Sequence, residues 1–256
     1  MKKLTHMQAS WAILGLLVSL CFSGASFANA SAVQKLLSSA DRTEADRERD
    51  QRDKAAELIA FFNLTEGEKV VDIFAGGGYW SEIFAAAVGQ SGQVLVHNNE
   101  AYKKFVGPNV HLRFQEKPLP QVALHDREVA DLGLADASQD VIYMGMSFHD
   151  LYFVDAESWP AIDSDVFIAQ LQRALVAGGR LIIVDHDAKI GTGASAAQDL
   201  HRIEKAFVIK TLEARGFRLA EQSALLVNAT DALEASVFDK SVRGQTNRFI
   251  LVFEKG

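Results

Sequence analysis

Cysteine is almost absent from this sequence. The only one among 256 residues, Cys21, sits in a short apolar run from Trp11 to Phe22, behind Lys2 and Lys3. A positive start, an apolar stretch and the small residues Ala28-Asn29-Ala30 together read as a secretory signal peptide. The run falls short of the roughly 20 apolar residues that a bilayer-spanning helix needs, so no stable membrane anchor is expected after cleavage. Leu20 stands where lipoprotein processing at Cys21 would want a small residue. Cleavage near Ala30 predicts a periplasmic or secreted chain from about Ser31 to Gly256 without a thiol. Export permits disulfides, yet none can then form, and the fold must rest on its core alone. About 225 residues suffice for one domain with a buried core.

Positive charge is also short. The leader holds two of the 26 Lys and Arg and none of the 33 Asp and Glu, which leaves the remainder at −9. That balance argues against nucleic acid or an anionic membrane as the main partner, while leaving room for a local basic patch. No internal repeat occurs. No Gly-x-Ser-x-Gly elbow is present either, which counts against a serine hydrolase of the α/β type.

What the sequence does have is a glycine run in a telling place. Val70-Val71-Asp72-Ile73-Phe74-Ala75 leads into Gly76-Gly77-Gly78, and an amphipathic segment follows with Trp80, Ile83, Phe84, Ala87 and Val88. This reads as strand, tight loop, helix. Without a Cβ the backbone can approach a ligand closely, and the loop opens on a helix N-terminus with unpaired N–H groups. The plainer alternative is a turn that only joins two elements.

Residues 31–54 are dense in charge of both signs, with pairs such as Arg42 and Asp46 at helical spacing. They suit a solvated surface helix or a flexible lead-in. The alternative is an arm folded over the ligand mouth that places an Arg or Asp there. Further on, a packed helix is expected over Ala55 to Phe62. Strands are expected at Gln93 to His97, Asn109 to Phe114, Asp140 to Met146 and Arg180 to Asp185. A helix over Asp165 to Ala177 is stopped by Gly178-Gly179, and a long helix over Ser195 to Arg215 ends at Gly216. Leu219 to Val227 and Arg248 to Phe253 are late strands. Helices alternating with near-continuous apolar strands imply a parallel sheet covered on both faces.

Four pieces occur in one order: Asp72 to Gly78, Val94 to Glu100, Leu134 to Met144, and Leu175 to His186. This order resembles the class I S-adenosylmethionine-dependent methyltransferases over most of residues 55–256. The charged arm, Gly76 to Glu82, the His-Asp and Asp-His pairs and Gly244 to Phe249 are similar to a group of predicted exported bacterial methyltransferases of unassigned substrate. The fold class expected is α/β: a Rossmann-like open sheet, mostly parallel with an antiparallel last strand, helices on both faces. Residues 1–30 would be the signal peptide, 31–54 the arm and 55–256 the methyltransferase-like domain. The resemblance implies S-adenosylmethionine as cofactor, cradled by Asp72, Phe74, Ala75, Gly76, Gly77 and Gly78. Phe74 stands where many relatives have the first glycine. Asn98 stands where relatives carry the acid that binds the ribose, and its amide can bond one hydroxyl. Glu128 fits the spacing of the adenine-contacting acid, with Asp131 the nearer alternative.

In an open parallel sheet, ligands bind outside the carboxyl ends of the strands. His97, His149 and His186 should therefore face one mouth, with His201 in reach. Acid–base chemistry suits such a set, with Asp150 beside His149, and makes His149, Asp150 and His186 the catalytic candidates. Metal ligation by these imidazoles with Asp150, Asp185 or Asp187 is the other possibility, but the spacing matches no compact metal motif, so no metal is expected. Tyr79 is a candidate wall of the pocket, and Trp80 packs its helix on the sheet. Arg248 either holds an anionic substrate group or pairs with the arm. The functional expectation is methyl transfer to a small molecule, with a strand-end histidine accepting the proton. The alternative is an exported binding protein of the same fold that holds another nucleoside or a small anion.

Overall fold

The computed structural model describes residues 24–256; most of the expected leader, residues 1–23, lies outside them. In chain order the elements are α1 (Gly24–Leu37), α2 (Glu44–Arg52), α3 (Ala55–Phe62), β1 (Lys69–Ile73), α4 (Tyr79–Val88), β2 (Gln93–Asn98), α5 (Glu100–Val106), α6 (Asn109–Glu116), β3 (Val122–Asp126) and β4 (Gln139–Gly145). A 3₁₀ turn, His149–Leu151, follows. Then come α7 (Ser164–Ala174), β5 (Leu175–His186), α8 (Ala196–Leu200), α9 (Lys205–Glu213), β6 (Phe217–Ser223) and β7 (Arg248–Lys255). Among the described residues no helix is long and apolar enough to cross a membrane.

The strands form one sheet in the order β3-β2-β1-β4-β5-β7-β6. All neighbours pair in parallel except β7, which runs antiparallel to β5 and β6. The strand order reverses between β1 and β4, the crevice where such sheets bind ligands. Near-continuous apolar strands feed both faces of the sheet, because side chains alternate along each strand. Val141, Tyr143, Ile182, Val184, Ile250 and Val252 face a layer built from α1, α3 and α4. Ile142, Met144, Leu181, Ile183, Leu251 and Phe253 face the opposite layer, with Phe167, Leu171, Val208 and Leu212 from α7 and α9.

The structure departs from the sequence expectations in four places. Asn109 to Phe114 is helical, not a strand, and the strand beside β2 is Val122–Asp126. Val110, Leu112 and Phe114 alternate, but Val110 and Phe114 are also four apart and share a helix face, while Leu112 is exposed. β3 is an edge strand with its side chains mostly in solvent, so it carries little apolar signal. The long helix expected over Ser195 to Arg215 is two helices. His201 takes a left-handed conformation (φ 52°), and Ile203 bridges to Asp187 beside the sheet. Leu175 to Ala177 open β5 instead of ending α7, and the first late strand lies at Phe217–Ser223.

The charged arm is solvated on one side, where Glu44, Arg47, Glu48 and Gln51 are exposed, and packed on the other. Thr43 caps α2 by accepting from the Asp46 N–H at 3.1 Å, and Arg42, Asp46 and Asp53 are buried. Arg42 pairs with Asp50 (2.6 Å) and with Glu82 of α4 (3.1 Å). Arg113 of α6 pairs with Asp46 (2.9 Å) and Glu82 (2.5 Å). Asp53 pairs with Arg248 of β7 at 2.8 Å. Opposite charges at helical spacing thus serve the tertiary structure.

Candidate active site at the carboxyl ends of the strands

β1 ends at Ile73, and the chain turns sharply through Phe74 (φ 53°), Gly76 (φ 59°) and Gly78 (φ 78°) into α4. Only glycine enters that region at little cost, so Phe74 there is strained and must be held by its surroundings. Its ring stacks on Phe167 (5.9 Å between centroids) and Tyr102 (5.1 Å). Asp72 is buried, its carboxyl accepting from the Ser81 hydroxyl at 2.6 Å. Burial pushes it up to about 7, against the hydrogen bond from Ser81 and the charge of Arg49.

Asn98 is where the ribose ligand was expected, at the end of β2, but its amide is already spent. Oδ1 accepts from the Gly76 N–H at 2.9 Å, and Nδ2 donates to the Gly76 carbonyl at 3.0 Å. The side chain is buried and braces the loop. Glu128 accepts from the Glu100 N–H at 3.1 Å, and Asp131 from the Gly133 N–H at 2.9 Å. Both carboxylates hold loop backbone.

α5 and α6 lie over the glycines. Tyr102 and Val106 close on Gly76, and Arg113 Nε donates to the Gly77 carbonyl at 2.9 Å. A Cβ on Gly78 would meet the Phe114 ring at 2.7 Å. On the outer side, a cleft of about 420 Å³ reaches Gly77 and Tyr79 between the arm and α6. Tyr79 does not wall a reaction pocket. Its hydroxyl donates to Asp50 at 2.6 Å, and the Arg49 guanidinium sits 4.0 Å from its ring centroid, so it clasps the arm. Trp80 packs among Phe62, Phe84 and Tyr143.

A cavity lies beside this loop, at the ends of β4 and β5. It has a volume of about 540 Å³, and its lining includes Tyr102, Met146, His149, Asp150, His186 and His201. Aromatic rings of Phe105, Phe153, Trp159 and Phe238 make much of the rest. The expected catalytic candidates His149, Asp150 and His186 do converge here. His97 does not. It is buried behind the loop, accepts from the Phe74 N–H at 3.4 Å through Nδ1 and faces the Arg127 carbonyl at 3.0 Å through Nε2. Burial lowers it to about 4, which suits a neutral ring used as a brace.

His149 is fixed by Asp185. Nδ1–H donates to Oδ1 at 2.8 Å, and the His149 backbone N–H donates to Oδ2 at 2.9 Å. Burial alone would lower this histidine, but Asp185 and Asp150 outweigh it and raise it to about 9. At neutral pH the ring therefore keeps its proton, contrary to the role of proton acceptor expected for it. His186 is the opposite case. Burial pulls it down to about 3 against the pull of Asp185, so it stays neutral. Its Nδ1 meets the Thr246 hydroxyl at 2.7 Å. Asp187 accepts from the Ala188 N–H (3.0 Å) and the Lys205 N–H (3.2 Å) and serves its loop. Arg248 is the arm's ion-pair partner, as one of its two expected roles had it.

Tyr102, Phe153, Phe238 and the loop cover of Arg113 and Phe114 escaped sequence reading. They come from segments far apart in the chain, and no local spacing joins them.

No protein-family model matches the sequence, and no curated protein matches it. Solved structures do. A methyltransferase dependent on S-adenosylmethionine, from Aquifex aeolicus, superposes with a TM-score of 0.57 at 19% identity, covering 89% of this chain and 98% of that one. The fold is that of the S-adenosylmethionine-dependent methyltransferases. An arsenic(III) S-adenosylmethionine methyltransferase from Chlamydomonas reinhardtii matches with a TM-score of 0.52 at 17% identity, over 88% of this chain and 73% of that one. The [4+2]-cyclase SpnF matches with a TM-score of 0.56 at 16% identity, over 90% and 93%. At such identities the likeness carries the architecture, and the chemistry must be argued from the side chains.

Those side chains fit S-adenosylmethionine at one end of the cradle. The left-handed turns at Gly76 and Gly78 and the cleft at Gly77 and Tyr79 suit the methionine part, and Arg49, which lines the cleft, is already paired with Asp53 at 3.0 Å. The ribose end does not fit as arranged, because Asn98 is engaged with Gly76 and Tyr102 lies on the glycines.

Proposed function

We propose that the chain is an exported S-adenosylmethionine-dependent methyltransferase acting on a small-molecule acceptor in the strand-end cavity. One observation carries the reading. Tyr102 is shared by the glycine loop and the cavity: it stacks on Phe74 and reaches Gly76 on one side, and lines the cavity on the other. The donor loop and the acceptor cavity therefore share a wall residue near the point where the strand order reverses.

The cofactor, when bound, would supply the methyl group. The chain's own residues do the rest. Phe153, Trp159 and Phe238 enclose an apolar acceptor and exclude water, so much of the rate would come from holding the acceptor in line. His149, held by Asp185, presents Nε2 to the cavity beside Asp150. With Nδ1–H donated to Thr246, His186 presents a neutral Nε2 that can accept a hydrogen bond from the acceptor and orient it, and the proton leaves to solvent or to Asp150. Tyr102 must swing aside for the ribose to enter.

Calorimetric titration with S-adenosylmethionine and S-adenosylhomocysteine tests this. Binding of either, abolished by Asp72→Ala, is the expected result; no heat with folded protein rejects it. Asn98 and the cover on the loop favour the second reading, a binding protein of this fold that uses only the cavity. Export is checked separately by N-terminal sequencing of the protein from its native cell, expected to begin near Ser31.

A further inference from the structure

We infer that His149, Asp150 and His201 form a binding site for one divalent transition-metal ion, open to the strand-end cavity. Each offers one donor atom, and the three donors lie within 4.8 Å of one another. His149 Nε2 is 3.3 Å from Asp150 Oδ1, and His201 Nδ1 is 3.9 Å from the same oxygen. Adjacent donors around a metal held at about 2.0–2.2 Å stand roughly 3 Å apart, so a small inward movement of His201 completes the set.

The surroundings are those of a built site. Asp185 takes Nδ1–H of His149, so the proton that a metal ion would displace is the one on Nε2, which then becomes the donor atom. A buried carboxylate behind a ligating imidazole is the usual outer support of a metal-bound histidine. Asp150 has no Lys or Arg as ion-pair partner among the described residues; its partners are the two histidines. His201 sits at the break between α8 and α9, where its left-handed backbone turns the ring inward (φ 52°). The ring lies 4.6 Å from Phe153 and 4.8 Å from Phe238, between centroids. The next residue, Arg202, is fully buried and bonded to Asp231, the Asp187 carbonyl and the Ala235 carbonyl, which pins the backbone that carries His201.

Two imidazoles and one carboxylate suit zinc, iron, cobalt or nickel better than calcium or magnesium. Three protein donors leave coordination positions free, as working metal sites do and closed structural ones do not. Those positions face the cavity. Its ligand would then be a small, partly apolar molecule with an oxygen, nitrogen or sulfur donor at one end. Sequence spacing showed no compact metal motif because His201 is 51 residues from Asp150 and joins it only through the fold.

The site does not depend on methyl transfer, and its test uses no cofactor. Protein stripped with chelator and dialysed is titrated calorimetrically with Zn²⁺, and with Co²⁺ while its visible bands are followed. One ion per chain is expected. Substituting an outer carboxylate typically weakens metal sites about 10–100-fold, and Asp150→Asn or His201→Ala, which remove a ligand, should cost at least as much. His201→Ala, at a partly exposed side chain, should melt as the parent does when metal is absent; Asp150→Asn also removes a charge beside His149, so its metal affinity is read at a temperature where far-UV circular dichroism shows it folded. His111→Ala, on α6, should bind as the parent does. Absence of binding by the parent, or affinity and cobalt bands unchanged in Asp150→Asn and His201→Ala, overturns the inference. Neither result bears on binding of S-adenosylmethionine at the glycine loop.

Discussion

The two halves of the crevice differ in what fills them. At the ends of β1 and β2 the glycine loop is covered by its own chain: Asn98 spends both amide atoms on Gly76, and Tyr102 and Phe114 lie on the glycines. At the ends of β4 and β5, a cavity of about 540 Å³ stays open among titratable side chains and aromatic rings. The glycine half is covered on its inner side and keeps only the outer cleft at Gly77 and Tyr79, whereas the other half holds the larger of the two openings. A motif shows that a loop can bind. Whether the space beside it is free depends on residues elsewhere in the chain.

That contrast can be tested, from the largest effect to the smallest. Arg202 and Asp231 form a bidentate pair with both side chains buried beside the loop that carries His201. Arg202→Ala leaves Asp231 uncompensated and should cost about 3–5 kcal/mol in urea denaturation. A loss under 1 kcal/mol would mean that the cavity half is not held this way.

Asp53 ties the arm to β7, and its titration reads the arm's share of the stability. Burial alone would raise it, but Arg248, Arg49 and Arg52 bring it from 3.8 to about 2. A depressed carboxylate stabilises the fold above its unfolded value and loses that contribution as pH falls through its folded value. At about 1.4 kcal/mol per unit, roughly 2–3 kcal/mol is present at pH 5 and lost by pH 2. The stability gap between parent and Asp53→Asn should shrink across that window; a gap that stays constant would detach the arm from the argument.

Asn98→Ala leaves two buried backbone groups of Gly76 without partners and should cost about 1–3 kcal/mol, read from the shift in denaturant midpoint. If stability is unchanged, the loop is not braced as described. Tyr102→Ala removes the wall residue that the two halves share. Under the methyltransferase reading it relieves a bias against the open loop, so affinity for S-adenosylmethionine should rise about tenfold in calorimetry. Weakened or absent binding would favour the reading in which only the cavity works.

The strand-loop-helix around Asp72, β4 and β5 as near-continuous apolar strands, and the meeting of His149 with His186 were legible because each rests on local chemistry. A near-continuous apolar run reports burial on two faces, and strand ends in a parallel sheet share one side. His97 sits on the same side but was misread, because whether a strand-end histidine faces outward or behind a loop depends on what packs there; Phe74 and the Arg127 carbonyl claimed it. Asn109 to Phe114 was misread because its apolar residues satisfy both periods, and contact with the glycine loop chose the helix.

The order of apolar strands, the glycines and the acid at Asp72 are enough to define an open α/β sheet with a loop at its switch point, since backbone sterics and side-chain alternation act over a few residues. The rest needed the third dimension. Charges from the arm, α4, α6 and β7 neutralise one another only after the chain has folded. His201 meets Asp150 only because a left-handed residue breaks a helix and Arg202 is locked beneath it. Contacts between segments distant in sequence leave no periodic trace, so packing, and not pattern, decided which half of the crevice is free.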